Sequence, residues 1–338
     1  MEFTIGGRLE VRITPADVGK RVSVRRRSNT DGASAQFTDT VGVLTSWDHG
    51  VLSITPRSGV AVRIGESALV AGKVVPAAPA RRRGPAASFP ELARVSARAW
   101  PPVESEPLGD WLLRAAGGFT RRANSVLPLG DPGTPLDDAL TRVRRWYADR
   151  GLPPYIQATT GAEGAQERLC AELERRGWRR EVSAELRIAA LAPIGDLAAE
   201  VSGVRLSREA DAGWLSRYQR LTSSGASGPP GPQVLEVLAG GPSVWFASVP
   251  GERPDEPPAA IGRCVVDGRW AGFMAVEVAP THRRRGLATT VMTALARRAL
   301  DEGASAAWLQ VEADNAGARA LYTGMDFTVH HHYHHFRP

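Results

Sequence analysis

The stretch that decides the fold is VEVAPTHRRRGLATTVMTALARRAL, residues 276–300. It begins as a predicted strand, which Pro280 breaks, and the run Arg283-x-x-Gly286-x-Ala288 then opens a helix. Apolar residues at four-residue spacing mark that helix: Leu287, Val291, Leu295 and Ala299. The sequence therefore predicts a strand, a tight turn and a helix in immediate succession.

The turn before this helix is suited to bind an anion. The first amides of a helix have no partners within the helix, and the helix dipole adds about half a positive charge at that end. Gly286 and Ala288 are small enough for a phosphate to approach the backbone. The polar side chains around the turn are Arg283, Arg284, Arg285 and Thr289. We predict a pyrophosphate site without a metal; a solvated arginine face is the alternative.

A second motif follows in WLQVEADNAGARALYTGMDF, residues 308–327. After a predicted strand it contains Asn315-x-x-Ala318-Arg319-x-Leu321-Tyr322, with Phe327 five residues further on. Together the two motifs resemble those of the GNAT superfamily of acetyl-CoA-dependent N-acetyltransferases. The resemblance covers residues 204–338. The sequence departs from the family pattern at Asp326, where a glycine is usual, and Asp tolerates the turn geometry better than most residues.

The resemblance implies an α+β GNAT fold, in which a mixed central sheet is flanked by helices, and acetyl-CoA as co-substrate. In that family the strand before the phosphate loop hydrogen-bonds the pantetheine arm. The implied cofactor-binding residues are Val276, Val278, Arg283, Arg284, Arg285, Gly286, Leu287, Ala288, Thr289, Asn315 and Arg319. Tyr322 would lie beside the thioester sulfur as general acid, or else be a core aromatic. Glu277 would take the proton of the amine, or would bind a water molecule that takes it, unless its side chain faces solvent.

The rest of the chain divides into further segments. Residues 1–75 show apolar alternation, including Val41 and Val43, which predicts five short strands and an SH3-like β-barrel. Residues 76–88 are a Pro/Ala/Arg linker. Residues 89–195 mix strands and helices without a phosphate loop. We interpret them as a degenerate GNAT-like copy in tandem with the GNAT domain 204–338, although common α/β pieces can look alike by chance.

The candidate acceptor site is a predicted strand from Phe119 to Leu127 that contains arginines. A guanidinium group can bind a carboxylate through two parallel hydrogen bonds. The candidate substrate-binding residues are Arg121, Arg122 and Asn124, with a solvated surface strand as the alternative. The layout of the whole chain resembles a group of actinobacterial GNAT proteins, some described as N-acetylglutamate synthases and others as histone-like acetyltransferases. L-glutamate is therefore the predicted acceptor. The alternatives are a protein lysine or N-terminus, and a non-catalytic acetyl-CoA sensor whose barrel binds nucleic acid or a peptide.

Composition excludes several classes of protein. Global disorder is excluded by the apolar share of 43%, and no run of about 18 apolar residues predicts a membrane span. Two cysteines cannot form a disulfide framework or a thiolate zinc site, so we expect a cytoplasmic location. The net charge of +6 comes almost wholly from arginine. Five histidines crowd VHHHYHHF, residues 329–336, where strand alternation disfavours a metal site; we expect the rim of the acceptor site.

Overall fold

The computed structural model describes residues 10–28, 36–76, 84–218, 230–253 and 255–338. Its strands are β1 (Arg21–Ser28), β2 (Gln36–Asp48), β3 (Val51–Thr55), β4 (Val62–Gly65), β5 (Leu69–Val74), β6 (Glu104–Leu108), β7 (Trp111–Ala115), β8 (Leu127–Pro128), β9 (Ile156–Thr160), β10 (Arg179–Ala190), β11 (Arg205–Ser207), β12 (Ser243–Val249), β13 (Ala260–Asp267), β14 (Trp270–Val278), β15 (Ala306–Glu312) and β16 (Thr328–Arg337). Its α-helices are α1 (Phe89–Arg98), α2 (Leu136–Ala148), α3 (Glu167–Arg175), α4 (Ala192–Gly195), α5 (Ala212–Arg217), α6 (Pro232–Ala239), α7 (Leu287–Asp301) and α8 (Ala316–Gly324). The end of the helix predicted beyond residue 218 and most of the predicted linker lie outside the described residues.

The chain divides into two compact units. One contains residues 1–81 and 158–179, and the other contains residues 82–157 and 180–338. This division differs from the predicted segments, since the second and third predicted segments share one sheet. The reason is that β10, from the second segment, pairs antiparallel with β15, from Ala184 opposite Glu312 to Ala190 opposite Ala306. That the second segment is a degenerate GNAT-like copy stays a prediction.

The first unit contains a five-stranded antiparallel sheet in the order β4-β3-β2-β1-β5, as predicted. The predicted buried face of β2 is wrong, because Val41 is 40% exposed. The core face carries Gly42 instead, opposite the fully buried Val22. A Cβ at Gly42 would lie 2.4 Å from the carbonyl oxygen of Thr55. Close backbone packing therefore puts a glycine where apolar alternation would place a valine.

The second unit is built on a mixed sheet with its strands in the order β11-β12-β13-β14-β15-β10-β16. Helices cover both faces. On one face α7 buries Val291, Leu295 and Ala299 in a cluster with Phe273 and Leu309. On the other face α1, α5 and α6 pack with the large aromatic side chains of this core, which are those of Trp100, Trp214, Trp270 and Trp308. The predicted mixed sheet flanked by helices is thus confirmed.

Three further findings bear on the excluded classes. Cys170 and Cys264 are buried and are not joined in a disulfide. Within the described ranges, no group of three or more His, Cys, Asp or Glu side chains could hold a metal ion. None of the helices in those ranges is long and apolar enough to cross a membrane.

Candidate active site

The central feature of the site is a gap between two parallel strands. The pairing of β14 with β15 begins with Trp270 opposite Ala306 and ends with Phe273 opposite Leu309. Beyond that point β14 continues to Val278 with a bulge against β13, and Ala275 in the bulge has a φ of +51°. A cavity of about 680 Å³ is lined by residues 273–278 of β14 and 310–312 of β15. The two strands therefore part, and the cavity lies between them.

Many of the predicted site residues meet at this cavity. Besides the two parted strands, its wall is formed by Thr120, Arg121, Arg122, Val182, Tyr218, Arg283, Asn315, Ala318, Tyr322, Tyr333 and His335. Residues 273–278 of β14 all line the cavity, although side chains alternate between the two faces of a strand. The cavity therefore runs along the open edge of β14. Glu277 is half-buried and is among the residues that line the cavity; its role as the base stays a prediction.

The predicted phosphate loop turns sharply before α7. Arg284 and Gly286 both have left-handed backbones, with φ of +65° and +79°. Gly286 is the N-cap of α7, and no side chain caps the helix there. A Cβ at Gly286 would meet nothing within 4 Å, so the approach to the first helical amides is open. This geometry fits an anion such as a pyrophosphate.

The loop arginines are exposed, and Arg283 lines the cavity. Arg285 donates to Glu252 over 3.1 Å. The hydrogen bond from Arg285, with His282 nearby, holds the pKa of Glu252 below its usual value. The Arg285 side chain therefore has a carboxylate partner within the chain.

Tyr322 lies on α8 and is 8% exposed at the cavity wall. Its ring packs against Phe327 with centroids 5.9 Å apart. Burial raises the pKa of Tyr322 to about 12. Asp326 has a φ of +62°, so it adopts the left-handed turn for which the family pattern uses glycine.

Asn315 and Arg319, predicted beside the cofactor, both have structural partners. Asn315 caps α8 by accepting from the amide of Ala318 over 3.0 Å, and it also lines the cavity. Arg319 instead forms a 2.9 Å ion pair with the buried Glu185, which also binds Arg187. Burial raises the pKa of Glu185, but hydrogen bonds from these arginines outweigh it and hold that pKa below its usual value. Arg319 thus fastens α8 to β10 and is not among the cavity-lining residues.

The predicted strand from Phe119 to Leu127 is wrong: a 3-10 turn at Arg121–Ala123 and the short β8 occupy it. Asn124 explains the difference. Its side-chain oxygen accepts from the amides of Ala116 and Gly118, and its nitrogen donates to the carbonyls of Phe119 and Thr120. These four bonds use the whole capacity of the amide. Asn124 therefore organises the loop, which corrects its predicted contact with substrate.

The same turn brings both predicted acceptor arginines to the cavity. Arg121 forms an ion pair with Glu181 over 2.6 Å. Arg122 donates to the side-chain oxygen of Gln310 over 2.7 Å and stacks over Trp100, with its guanidinium carbon 4.8 Å from the ring centroid. Arg122 therefore reaches the cavity with a neutral hydrogen-bond partner.

The histidine run at 329–336 was expected at the rim of the acceptor site, but no single residue of it was predicted to line the site. Tyr333 and His335 alternate along β16 and both face the cavity. The histidine run places a strand here, but only the sheet order reveals which histidine is directed inward. Arg114 was also missed: it is 2% exposed and lies beneath this wall, bonded to Ser125 and Gln157.

The chain has the GNAT fold, with the parted strands, the open helix start and the cavity between them. The solved structure of a GCN5-related N-acetyltransferase from Kribbella flavida has this fold: it matches 75% of this chain and 96% of its own, with 16% identity and a TM-score of 0.53. Proteins with the GNAT fold use acetyl-CoA as co-substrate. The predicted GNAT fold is confirmed.

Two curated relatives are similar over most of the chain. The probable histone acetyltransferase Rv0428c of Mycobacterium tuberculosis is 29% identical over 318 residues, or 93% of each chain. The uncharacterized N-acetyltransferase YobR of Bacillus subtilis is 26% identical over 248 residues, covering 72% of this chain and 96% of the relative.

The chain belongs to the family described as "Probable histone acetyltransferase Rv0428c C-terminal", whose model matches residues 87–336. Residues 16–73 match "Rv0428c N-terminal Sm-like domain". This match coincides with the five-stranded unit for which an SH3-like barrel was predicted.

Proposed function

We propose that this chain transfers an acetyl group from acetyl-CoA directly to an amine held in the cavity, with L-glutamate as the predicted acceptor. The observation that carries the proposal is the parting of β14 and β15 beside Tyr322 and the open start of α7. Direct transfer needs a cofactor, a base and an acid at one place. The buried, free Cys264 has a pKa raised to about 12 by burial, which disfavours a cysteine nucleophile.

The cofactor end of the cavity fits acetyl-CoA. The backbone amides of Leu287, Ala288 and Thr289, at the open start of α7, would bind the pyrophosphate. Arg283 and Arg284 would lie beside it. The edge of Val276–Val278 would hydrogen-bond the pantetheine arm. When bound, acetyl-CoA supplies the thioester carbonyl that the amine attacks.

Two side chains in the cavity wall would move the protons. The attacking amine must be neutral, so Glu277 would accept its proton, directly or through a water. Tyr322, with a pKa of about 12, keeps its hydroxyl proton at neutral pH. It would donate a hydrogen bond and then the proton to the sulfur that leaves.

A protein amine is the second candidate acceptor. It is supported by the printed name of the relative that matches 93% of the chain, a probable histone acetyltransferase. In that case the N-terminal unit would dock the protein substrate. A non-catalytic acetyl-CoA sensor is the third hypothesis, with nucleic acid or a peptide bound by the N-terminal unit.

The test is coenzyme A release from acetyl-CoA, with mass spectrometry of the product. The panel contains L-glutamate, other amino acids, lysine-rich peptides, a polyamine and an aminoglycoside. An N-acetylated product is expected with L-glutamate, and a product only with peptides would favour the protein acceptor. Bound acetyl-CoA without any product would contradict the enzymatic proposal and favour the sensor.

A matched pair of variants tests the cofactor loop. Gly286→Glu places bulk and negative charge at the open helix start, so we expect acetyl-CoA binding to be lost in calorimetry. Gly286→Asn is the control, since Asn tolerates the left-handed backbone at φ +79° without adding charge. Normal binding by a folded Gly286→Glu variant would overturn the assignment of the loop.

A further inference from the structure

One side of the cavity carries positive charge that is only partly paired with carboxylates of the described residues. We call the cavity-lining Arg121, Arg122 and His335 the arginine wall. Arg122 hydrogen-bonds the neutral Gln310, and only Arg121 has a carboxylate partner, Glu181. Beneath the wall, Arg114 donates to the carbonyl and hydroxyl oxygens of Ser125 and to the side-chain oxygen of Gln157.

Arg114 is unusual for a buried cation. Burial lowers its pKa to about 10, so it remains charged at neutral pH. Buried charges are normally paired with an opposite charge. Within the described ranges, no carboxylate forms an ion pair with Arg114 or Arg122. The remaining carboxylates of the cavity, Glu277 and Glu312, lie on the two parted strands.

His335 is the second, independent observation. It is 3% exposed, it lines the cavity, and neither ring nitrogen has a hydrogen-bond partner among the described residues. Edge contacts with Tyr155 and Tyr333, at centroid distances of 6.2 and 5.6 Å, hold the ring in place. A buried polar atom without a partner is costly to the fold. Both nitrogens are closed to solvent in this structure, so we expect the ring to turn slightly and to bond a molecule in the cavity.

The environment of His335 defines what that partner is. Burial, and then the charges of Arg114, Arg121 and Arg122, hold its pKa well below the usual value. The ring is therefore neutral, with one nitrogen that donates and one that accepts. The donating nitrogen of His335 belongs to the same wall as Arg122 and lies above Arg114, whose described hydrogen-bond partners are all neutral. This environment favours an anion that accepts several hydrogen bonds. A carboxylate has this chemistry, and arginine binds it through two parallel bonds.

We propose that the acceptor carries a carboxylate, which His335 and Arg122 bind together, and that these two residues determine which amines are acetylated. The inference rests on the proposed acetyl transfer and names the substrate class of that site. The carboxylate can belong to a free amino acid or to an acidic residue beside the acceptor amine of a peptide. His335 is a specificity-determining residue that the histidine pattern alone does not single out.

Steady-state kinetics with three variants test the proposal. His335→Phe keeps a ring but removes the donor, Arg122→Gln removes the charge, and His335→Gln restores a donor. We expect the first two to raise the KM for the acceptor about 10- to 100-fold, since hydrogen bonds to charged groups have that value. The KM for acetyl-CoA should stay unchanged, and His335→Gln should recover much of the affinity. An unchanged acceptor KM in a folded His335→Phe protein would overturn the proposal.

Acceptor analogues identify the group that is bound. The wild type should acetylate L-glutamate well, and the diamide of glutamate and a polyamine, which have no carboxylate, poorly. A lysine peptide with acidic neighbours is compared with one whose neighbours are glutamines. Activity with free amino acids would show that the carboxylate belongs to the amino acid itself. Activity only with the acidic peptide would show that it belongs to a residue beside the acceptor amine. Equal activity with amines that have no carboxylate would overturn the proposal.

A binding measurement separates this proposal from the proposed function. Glutarate, which has two carboxylates and no amine, is titrated by calorimetry in the presence of coenzyme A. We expect it to bind the wild type and to bind His335→Phe at least tenfold more weakly. That result without turnover on any amine would support the subsite and contradict the enzymatic proposal. Turnover without glutarate binding, and with unchanged acceptor KM in the variants, would contradict the subsite alone.

Discussion

The two halves of β14 differ in strand pairing and in burial. Residues 270–273 pair with β15 and are buried, and Trp270 and Phe273 are each 2% exposed. Residues 275–278 have left β15, are half-exposed and line the cavity. One continuous strand of nine residues thus serves packing in its first part and the cavity in its second.

The difference shows where substitutions should act on stability and where on catalysis. In the paired half each position is constrained by a neighbour on the next strand, as Gly272 is by Trp308. In the parted half the backbone edge lines the cavity, while Ala275, Val276 and Val278 are partly buried against the core clusters. Four predictions, the last of which compares two alanines, test this division between packing and cavity residues, in order of decreasing expected effect.

Gly272→Ala should destabilise the protein most, by about 3 kcal/mol. The added Cβ would lie 2.4 Å from Cζ2 of Trp308, which is 1% exposed and cannot move aside. Urea unfolding measures the free energy. Gly317→Ala in α8 is the control, because its Cβ meets nothing nearer than 4.0 Å. Equal stability of Gly272→Ala and the wild type would show that the paired half is not tightly packed.

Tyr322→Phe should lower kcat by about 30-fold while the KM for acetyl-CoA stays constant. The substitution removes the proton donor to the leaving sulfur and keeps the ring packed against Phe327. Steady-state kinetics with both substrates separate the two parameters. Unchanged kcat would remove the acid role, and a change in KM alone would make Tyr322 a binding residue.

Glu277→Gln should lower kcat by about tenfold near neutral pH and leave the free energy of unfolding within about 0.5 kcal/mol. The variant lacks the base, so it depends on the fraction of acceptor amine that is already neutral. That fraction rises with pH, and the rate difference from the wild type should therefore shrink at alkaline pH. A constant ratio across the pH profile would argue against Glu277 as proton acceptor.

The smallest effect distinguishes two alanines of the same strand. Ala275→Gly should stabilise the protein by about 0.5 kcal/mol, because glycine relieves the left-handed backbone at φ +51°. Ala271→Gly in the paired half should destabilise it by about 1 kcal/mol, through a lost buried methyl and added backbone freedom. Thermal unfolding of the pair measures both signs, and two destabilised variants would refute the strained bulge.

Local sequence signals predicted the parts of this site that depend on neighbouring residues. The strand, turn and helix at 276–300 follow from Pro280, Gly286 and the apolar spacing of α7. The loop at 119–127 was mispredicted, because the backbone bonds of a strand are replaced there by the side chain of Asn124. The strand propensities of the residues do not indicate that a side chain will take over these backbone hydrogen bonds.

Non-local pairing explains the remaining failures. The insertion of β10 between β15 and β16 depends on partners more than a hundred residues apart. The same pairing determines that His335 faces the cavity and that Arg319 meets Glu185. Neither periodicity nor spacing along the chain contains that information, although the residues themselves were visible in the motifs.

The position of β10 and β16 has a consequence for the evolution of this protein. The wall that we assign to the acceptor comes from the turn at 121–123 and from β10 and β16, whereas the cofactor loop comes from β14 and α7. Mutations in the first set can alter the accepted amine without disturbing the transfer machinery. Grafting that turn and β16 between relatives should therefore exchange substrate preference, whereas a fragment beginning at residue 204 would lose one wall of its own pocket.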